Sequence, residues 1–209
     1  MADASNPFLI RPFLLRTALA LCCLPAISAS GPSEAVFQVV DARGLPLQGA
    51  VVEVEKSGGS AAPAFPWRMA MAQKNQAFAP GTLIVPVGAT VAFPNLDTVR
   101  HSIYSFSKPA RFKIDLYGRD QTRSQQFAIA GTVALGCNIH DTMRGYIRVV
   151  SSAYARQSDT NGYARIPGLG AGNYKVKVWH PRLRGAEGEQ VLTAAVPASG
   201  AARLVVQVK

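Results

Sequence analysis

The chain of 209 residues is short of the groups that staple a fold, span a bilayer or run acid–base chemistry. It has three cysteines, and two of them, Cys22 and Cys23, lie in an apolar run near the N-terminus. If that run is removed as a leader, Cys137 is left alone and no intramolecular disulfide can form. Histidines number only three, and 12 acidic residues face 22 lysines and arginines. The formal charge of +10 is scattered, with no block of five like charges, which argues against a nucleic-acid-binding arm and for a diffuse basic surface. Beyond the leader no apolar run is long enough for a transmembrane helix, and no stretch sustains a helical period. No catalytic base stands in a substrate-binding pattern, so no turnover is expected.

The first 30 residues read as an address. Arg11 and Arg16 precede an apolar core, Thr17–Ile27, and Ser28-Ala29-Ser30 supplies small residues for cleavage. The expectation is a signal peptide over 1–30 and a periplasmic or secreted protein. A membrane anchor is the competing reading, and Leu21 ahead of Cys22 fits a lipidation signal poorly. A lone thiol in an oxidising compartment is a hazard unless it is buried, reactive by design or metal-bound.

What the chain has in quantity is glycine (18), proline (14) and alternating apolar residues. Phe37 and Val39 alternate with Gln38; Ala50, Val52 and Val54 alternate with Val51, Glu53 and Glu55. Leu83, Val85 and Val87 repeat the pattern, as do Phe112, Ile114 and Leu116, and then Val133, Leu135 and Cys137. Val99, His101 and Ile103 share one strand face. Asn161-Gly162 reads as a hairpin turn ahead of Tyr174, Val176 and Val178. Short strands at regular spacing predict an all-β chain built of sandwiches. Residues 57–66, rich in small residues and proline, read as a linker.

One stretch carries chemistry. Cys137, His140 and Met143 form a C-x2-H-x2-M run, and His101 lies on an earlier strand. Two imidazoles, a thiolate and a weak thioether make the ligand set of a trigonal electron-transfer copper site. Singly, each residue has a bland reading as core or solvated side chain; together, in kind and spacing, they favour one copper ion. Zinc also accepts two histidines and a cysteine, but structural zinc rarely uses methionine, and Asp141 is the only adjacent carboxylate. His180 reads as structural, and Met69 and Met71 as packing.

Two phrases, Phe93-Pro94-Asn95-Leu96-Asp97 with His101-Ser102, and Leu135-Gly136-Cys137-Asn138-Ile139-His140-Asp141-Thr142-Met143, resemble the blue copper proteins (cupredoxins) of plastocyanin and amicyanin type. More narrowly, they are similar to secreted bacterial proteins labelled as methylamine utilisation proteins. The resemblance implies His101, Cys137, His140 and Met143 as copper ligands over residues 67–150, in a Greek-key sandwich. Asn95, Ser102 and Asn138 would support them, and His140 would serve as the electron port. Ser102 stands where many of these proteins have asparagine. The implied function is single-electron transfer; the net positive charge favours an acidic redox partner, such as a c-type cytochrome or a dehydrogenase, or an anionic membrane surface. The alternatives are a copper-delivery module without a redox circuit, and an adhesive or carbohydrate-binding sandwich with no metal. Residues 37–52 and 160–174 resemble a carboxypeptidase regulatory-like (transthyretin-like) sandwich. Segments 34–56 and 153–209 are therefore expected to form one discontinuous sandwich into which the copper block is inserted. The simpler alternative gives 34–56 to the copper block.

Overall fold

The computed structural model describes residues 33–56 and 64–209, so the expected leader and most of the expected linker lie outside it. The chain is all-β. The first strands are β1 (Glu34–Asp41), β2 (Val51–Glu55), β3 (Ala72–Lys74), β4 (Ala77–Ala79), β5 (Thr82–Pro86) and β6 (Ala89–Pro94). There follow β7 (His101–Ser105), β8 (Phe112–Tyr117), β9 (Thr122–Phe127), β10 (Gly131–Cys137) and β11 (His140–Val150). The last are β12 (Ala155–Gln157), β13 (Tyr163–Pro167), β14 (Gly172–Trp179), β15 (Glu189–Val196) and β16 (Ala202–Val206).

A five-stranded sheet of order β5-β11-β10-β7-β8 forms the backbone of the middle of the chain. Its inner side chains meet those of the β6–β9 pair and the β3–β4 hairpin in one apolar cluster. That cluster contains Phe78, Val91, Phe93, Ile103, Phe127, Val133, Leu135, Cys137, Met143 and Ile147. Alternation places Val133, Leu135 and Cys137 on the buried face, and burial of such side chains is what holds the two layers together. Two further sheets, β13-β1-β16 and β12-β2-β14-β15, enclose a separate core of Phe37, Val52, Val54, Ile166, Val176, Val178 and Leu204 among others. β1 pairs with β13 and β16, and β2 with β12 and β14, so strands on either side of the five-stranded sheet in sequence join each other in space.

Several side chains depart from the simple alternation. β2 is buried on both faces: Val52 and Val54 enter the sandwich core, while Val51 and Glu53 face the five-stranded sheet. Val51, Ala155 and Trp179 pack there on Ile84 and Val150, with Phe65 and Trp67 against them. Phe65, expected in the linker, stacks on Trp67 at 5.0 Å between ring centroids. At the same junction Arg148, 4% exposed, forms ion pairs with Glu53 at 3.5 Å and with Glu189. Val99, expected to face inward, is exposed and precedes the strand, which begins at His101. On β8 the inward residue at the end is Tyr117, not Leu116, because the pairing with β7 slips by one residue between His101 and Ile103.

Candidate metal centre

Two irregularities in pairing bring the donor side chains together. β10 and β11 pair in regular register from Gly131↔Val149 to Gly136↔Arg144, and then Cys137 pairs with His140. Three residues, Asp141, Thr142 and Met143, are thereby accommodated on β11 between His140 and Arg144. The C-x2-H-x2-M run is thus a two-residue turn, Asn138-Ile139, followed by this bulge. Bulges re-aim side chains relative to the strict alternation of a strand. Here Met143, 2% exposed, turns into the apolar cluster that contains Cys137, while Asp141 and Thr142 remain exposed. The slip on β7 does the same for His101, Ser102 and Ile103, three consecutive residues that are all buried.

The outcome is a cluster of His101, Cys137 and His140 whose donor atoms all lie within 4.8 Å of one another. Cys137 Sγ is 3.8 Å from His101 Nδ1 and 3.8 Å from His140 Nδ1. Both imidazoles thus present the same ring nitrogen to the thiol. His101 is fully buried and His140 half-buried, so one imidazole is sealed inside and the other meets solvent at its edge. Met143 belongs to the same buried cluster as Cys137.

The surroundings orient these groups. Ser102 Oγ accepts the backbone N–H of Asn138 at 3.1 Å and lies 3.9 Å from Cys137 Sγ. The contribution of Asn138 is this N–H, since its side chain is exposed. Asn95 is fully buried; its side-chain amide donates to the carbonyls of Val99 and Tyr117 at 2.9 and 3.1 Å, and its Oδ1 accepts the N–H of Asp97. That fixes the bend leading into His101. Asp97, to which the sequence analysis gave no role, supports His101 directly: its Oδ2 lies 2.8 Å from His101 Nε2. The only sequence signal for it is the four-residue spacing to His101. Burial pushes the Asp97 carboxyl up, but the N–H of Gln76, the His101 ring and the N–H of Asn75 outweigh it and hold the group below the ordinary carboxylate range. A carboxylate acceptor at Nε2 puts the ring proton there and leaves the Nδ1 lone pair facing Cys137.

This arrangement fits a metal of soft to borderline character. One cysteine sulfur and two imidazole Nδ1 atoms converge within an apolar shell, and the Asp97 carboxylate holds the back of His101. His180 lies outside the cluster, its Nδ1 accepting the N–H of Arg182. Met71 is fully buried core, and Met69 packs against the same core. Among the described residues no helix is long and apolar enough to cross a membrane.

No protein-family model and no curated protein matches the chain. Among solved structures it is similar to a reduced variant of amicyanin, with 24% identity, a TM-score of 0.38, and coverage of 47% of this chain and 98% of that one. It is also similar to a copper-containing nitrite reductase from Thermus scotoductus SA-01, with 27% identity over 47% of this chain and 25% of that one, at a TM-score of 0.38. A purple cupredoxin from Nitrosopumilus maritimus matches 39% of this chain and 98% of its own length, with 22% identity and a TM-score of 0.35.

Proposed function

We propose that this protein holds one copper ion between His101, Cys137, His140 and Met143 and passes single electrons in the periplasm or outside the cell. The observation that supports this reading most is the convergence of two imidazole Nδ1 atoms on one buried thiol, beside a buried methionine. That donor set suits copper better than zinc, which gains nothing from a thioether and, as a catalyst, calls for an accessible carboxylate base. Asp141 is not part of the His101–Cys137–His140 cluster, and Asp97 is engaged with His101 Nε2.

Bound copper would supply reversible one-electron chemistry between Cu(I) and Cu(II). The chain's part is to keep the donors where they are in both states. His101 is held by Asp97, the turn after Cys137 is held by Ser102, and the apolar cluster around Cys137 and Met143 keeps water away. His140, half-buried at the edge, offers the short path to a partner and is the proposed electron port. Among the described residues, eight acidic side chains are in ion pairs with lysine, arginine or histidine, and lysines and arginines outnumber the acids. A surface with that surplus favours an acidic redox protein, such as a c-type cytochrome or a dehydrogenase. The protein is proposed as a carrier and not as an enzyme. The strand pairing of β1 and β2 with β12–β16 supports a copper domain inserted into a discontinuous regulatory-like sandwich.

The test is to add Cu(II) to the metal-free protein and record visible and EPR spectra. A strong thiolate charge-transfer band that disappears in Cys137→Ser supports the reading; no band at all overturns it. Fast reversible voltammetry marks a carrier. Complete and rapid handover of Cu(I) to a chelator marks instead a delivery module, for which the half-buried His140 would be the point of exit.

A further inference from the structure

The β3–β4 hairpin turns through two residues, Asn75 and Gln76, and both have φ of 55°. A two-residue loop with both φ positive matches the type I′ turn, which favours asparagine first and glycine second. Gln76 occupies the glycine position, where an ordinary side chain is strained. The strain coincides with a contact. Asn75 N donates to Asp97 Oδ1 at 2.6 Å, and Gln76 N donates to Asp97 Oδ2 at 2.9 Å. In a free hairpin these two N–H groups would meet solvent; here they cradle one carboxylate. The same Oδ2 accepts from His101 Nε2 at 2.8 Å. One more bond ties the hairpin to this bend, Leu96 N donating to Gln73 O at 2.9 Å, while Asp97 N donates to Asn95 Oδ1 at 2.9 Å within the bend itself.

We propose that the Asn75–Gln76 turn is a positioning device for the metal centre: its paired N–H groups hold the Asp97 carboxylate, and Asp97 fixes which nitrogen of His101 faces Cys137. The inference rests on reading His101 as a copper ligand. A carboxylate held at Nε2 makes the imidazole a stronger donor at Nδ1, and so favours Cu(II) over Cu(I). The turn acts through backbone atoms, 21 and 22 residues before Asp97, which is why its side chains reveal nothing of this role.

Asparagine at 97 cannot replace the carboxylate. One of its two side-chain atoms must be an NH2, which would face an N–H donor on either side. The experiment uses nitrogen NMR of His101 and amide hydrogen exchange on the metal-free protein, with copper affinity as a second readout. In the unaltered chain His101 should be one tautomer, protonated at Nε2. Gln76→Gly, which keeps the N–H, should leave it so. Gln76→Pro, which removes the N–H, and Asp97→Asn should both give mixed tautomers, with Cu(II) affinity reduced roughly 10–100-fold. In Asp97→Asn, whose one remaining oxygen can serve only one side of the pair, at least one of the Asn75 and Gln76 amides should exchange at least about tenfold faster. Unchanged exchange there overturns the proposal, as does a folded Gln76→Pro with His101 still locked. The exchange measurement needs no turn variant, so it decides the matter even where proline prevents folding. Loss of copper binding with His101 still locked would sink the copper reading alone; normal copper binding with an unlocked His101 would sink the brace alone.

Discussion

Ser102 Oγ and the amide nitrogen of Asn138 lie 3.1 Å apart, so the strand carrying His101 is tied to the turn that follows Cys137. Because Ser102 is 1% exposed, water cannot readily take over as acceptor. Ser102→Ala should therefore cost about 1–2 kcal/mol in stability, the penalty for orphaning a half-buried donor. It should also loosen the Cys137–His140 turn and lower copper affinity by roughly 10–100-fold. Chemical denaturation and copper titration measure the two separately. Ser102→Thr, which keeps the hydroxyl, should keep the copper spectrum; if it behaves like alanine, the hydrogen bond is not what matters.

Two glycines in the same hairpin should respond differently to a methyl group. A Cβ at Gly136 would stand 2.6 Å from the tip of the Tyr104 ring, which is half-buried and can swing toward solvent. A Cβ at Gly145 would stand 2.9 Å from Phe78 Cβ, an atom that moves only with its backbone. Although the first distance is shorter, Gly145→Ala should be the costlier change, about 1–3 kcal/mol against about 1 kcal/mol for Gly136→Ala. Thermal unfolding of the two variants side by side checks the order. In Gly136→Ala the Tyr104 ring should become more exposed, which its fluorescence quenching would report.

The part of this centre that can be read from the chain is the part made by short-range chemistry. Cys137, His140 and Met143 lie within seven residues, and the alternation Val133, Leu135, Cys137 shows which way the thiol points. Asp97 could not be read, because what makes it more than a loop residue is its meeting with Asn75 and Gln76 on another hairpin. Nor could the bulge at Asp141–Met143, since a polar-polar-apolar triplet fits an open loop as well as a bulged strand. Glu53 was misleading for a related reason. Its place in an alternating strand points to solvent, and only the covering five-stranded sheet, with Arg148 upon it, turns that face into an interior. Local period reports which side of a strand is apolar; it does not report how many sides are covered.

Acid should weaken the turn at Asp41. The N–H of Leu45 lowers the Asp41 carboxyl most, opposed by burial and aided by the N–H and guanidinium of Arg43. The bonds are 2.9 Å to Leu45 N and 2.8 Å to Arg43 N. A depressed carboxylate stabilises the fold fully above its unfolded value, near 4 (~3.9), and loses that contribution as pH falls through its lower folded value. Asp41→Asn, which keeps an acceptor but not the charge, should thus be less stable than the natural chain at neutral pH, with the gap closing below about pH 4. Denaturant unfolding across that range is the measurement. A gap that stays constant with pH would show that the charge contributes nothing.

Arg148 is where the two sheet systems have an ionic contact in their joint interior. Its guanidinium reaches Glu53 at 3.5 Å, Glu189, and Thr132 Oγ1 at 3.1 Å, while Glu53 also accepts from Ser151 N, Ser151 Oγ and Ser152 N. Removing the cation leaves Glu53, 2% exposed, as a buried charge with only neutral donors. Arg148→Met should therefore cost about 3–5 kcal/mol, nearer the lower figure because those three donors remain. Neutralising the stranded acid should then help: Glu53→Gln is destabilising in the natural chain but should recover at least about 1 kcal/mol when added to Arg148→Met. A double-mutant cycle read by equilibrium unfolding tests this. Simple additivity of the two changes would mean that the pair is not coupled, and that the apolar contact of Trp179, Val51 and Ala155 with Ile84 and Val150 is what holds the junction.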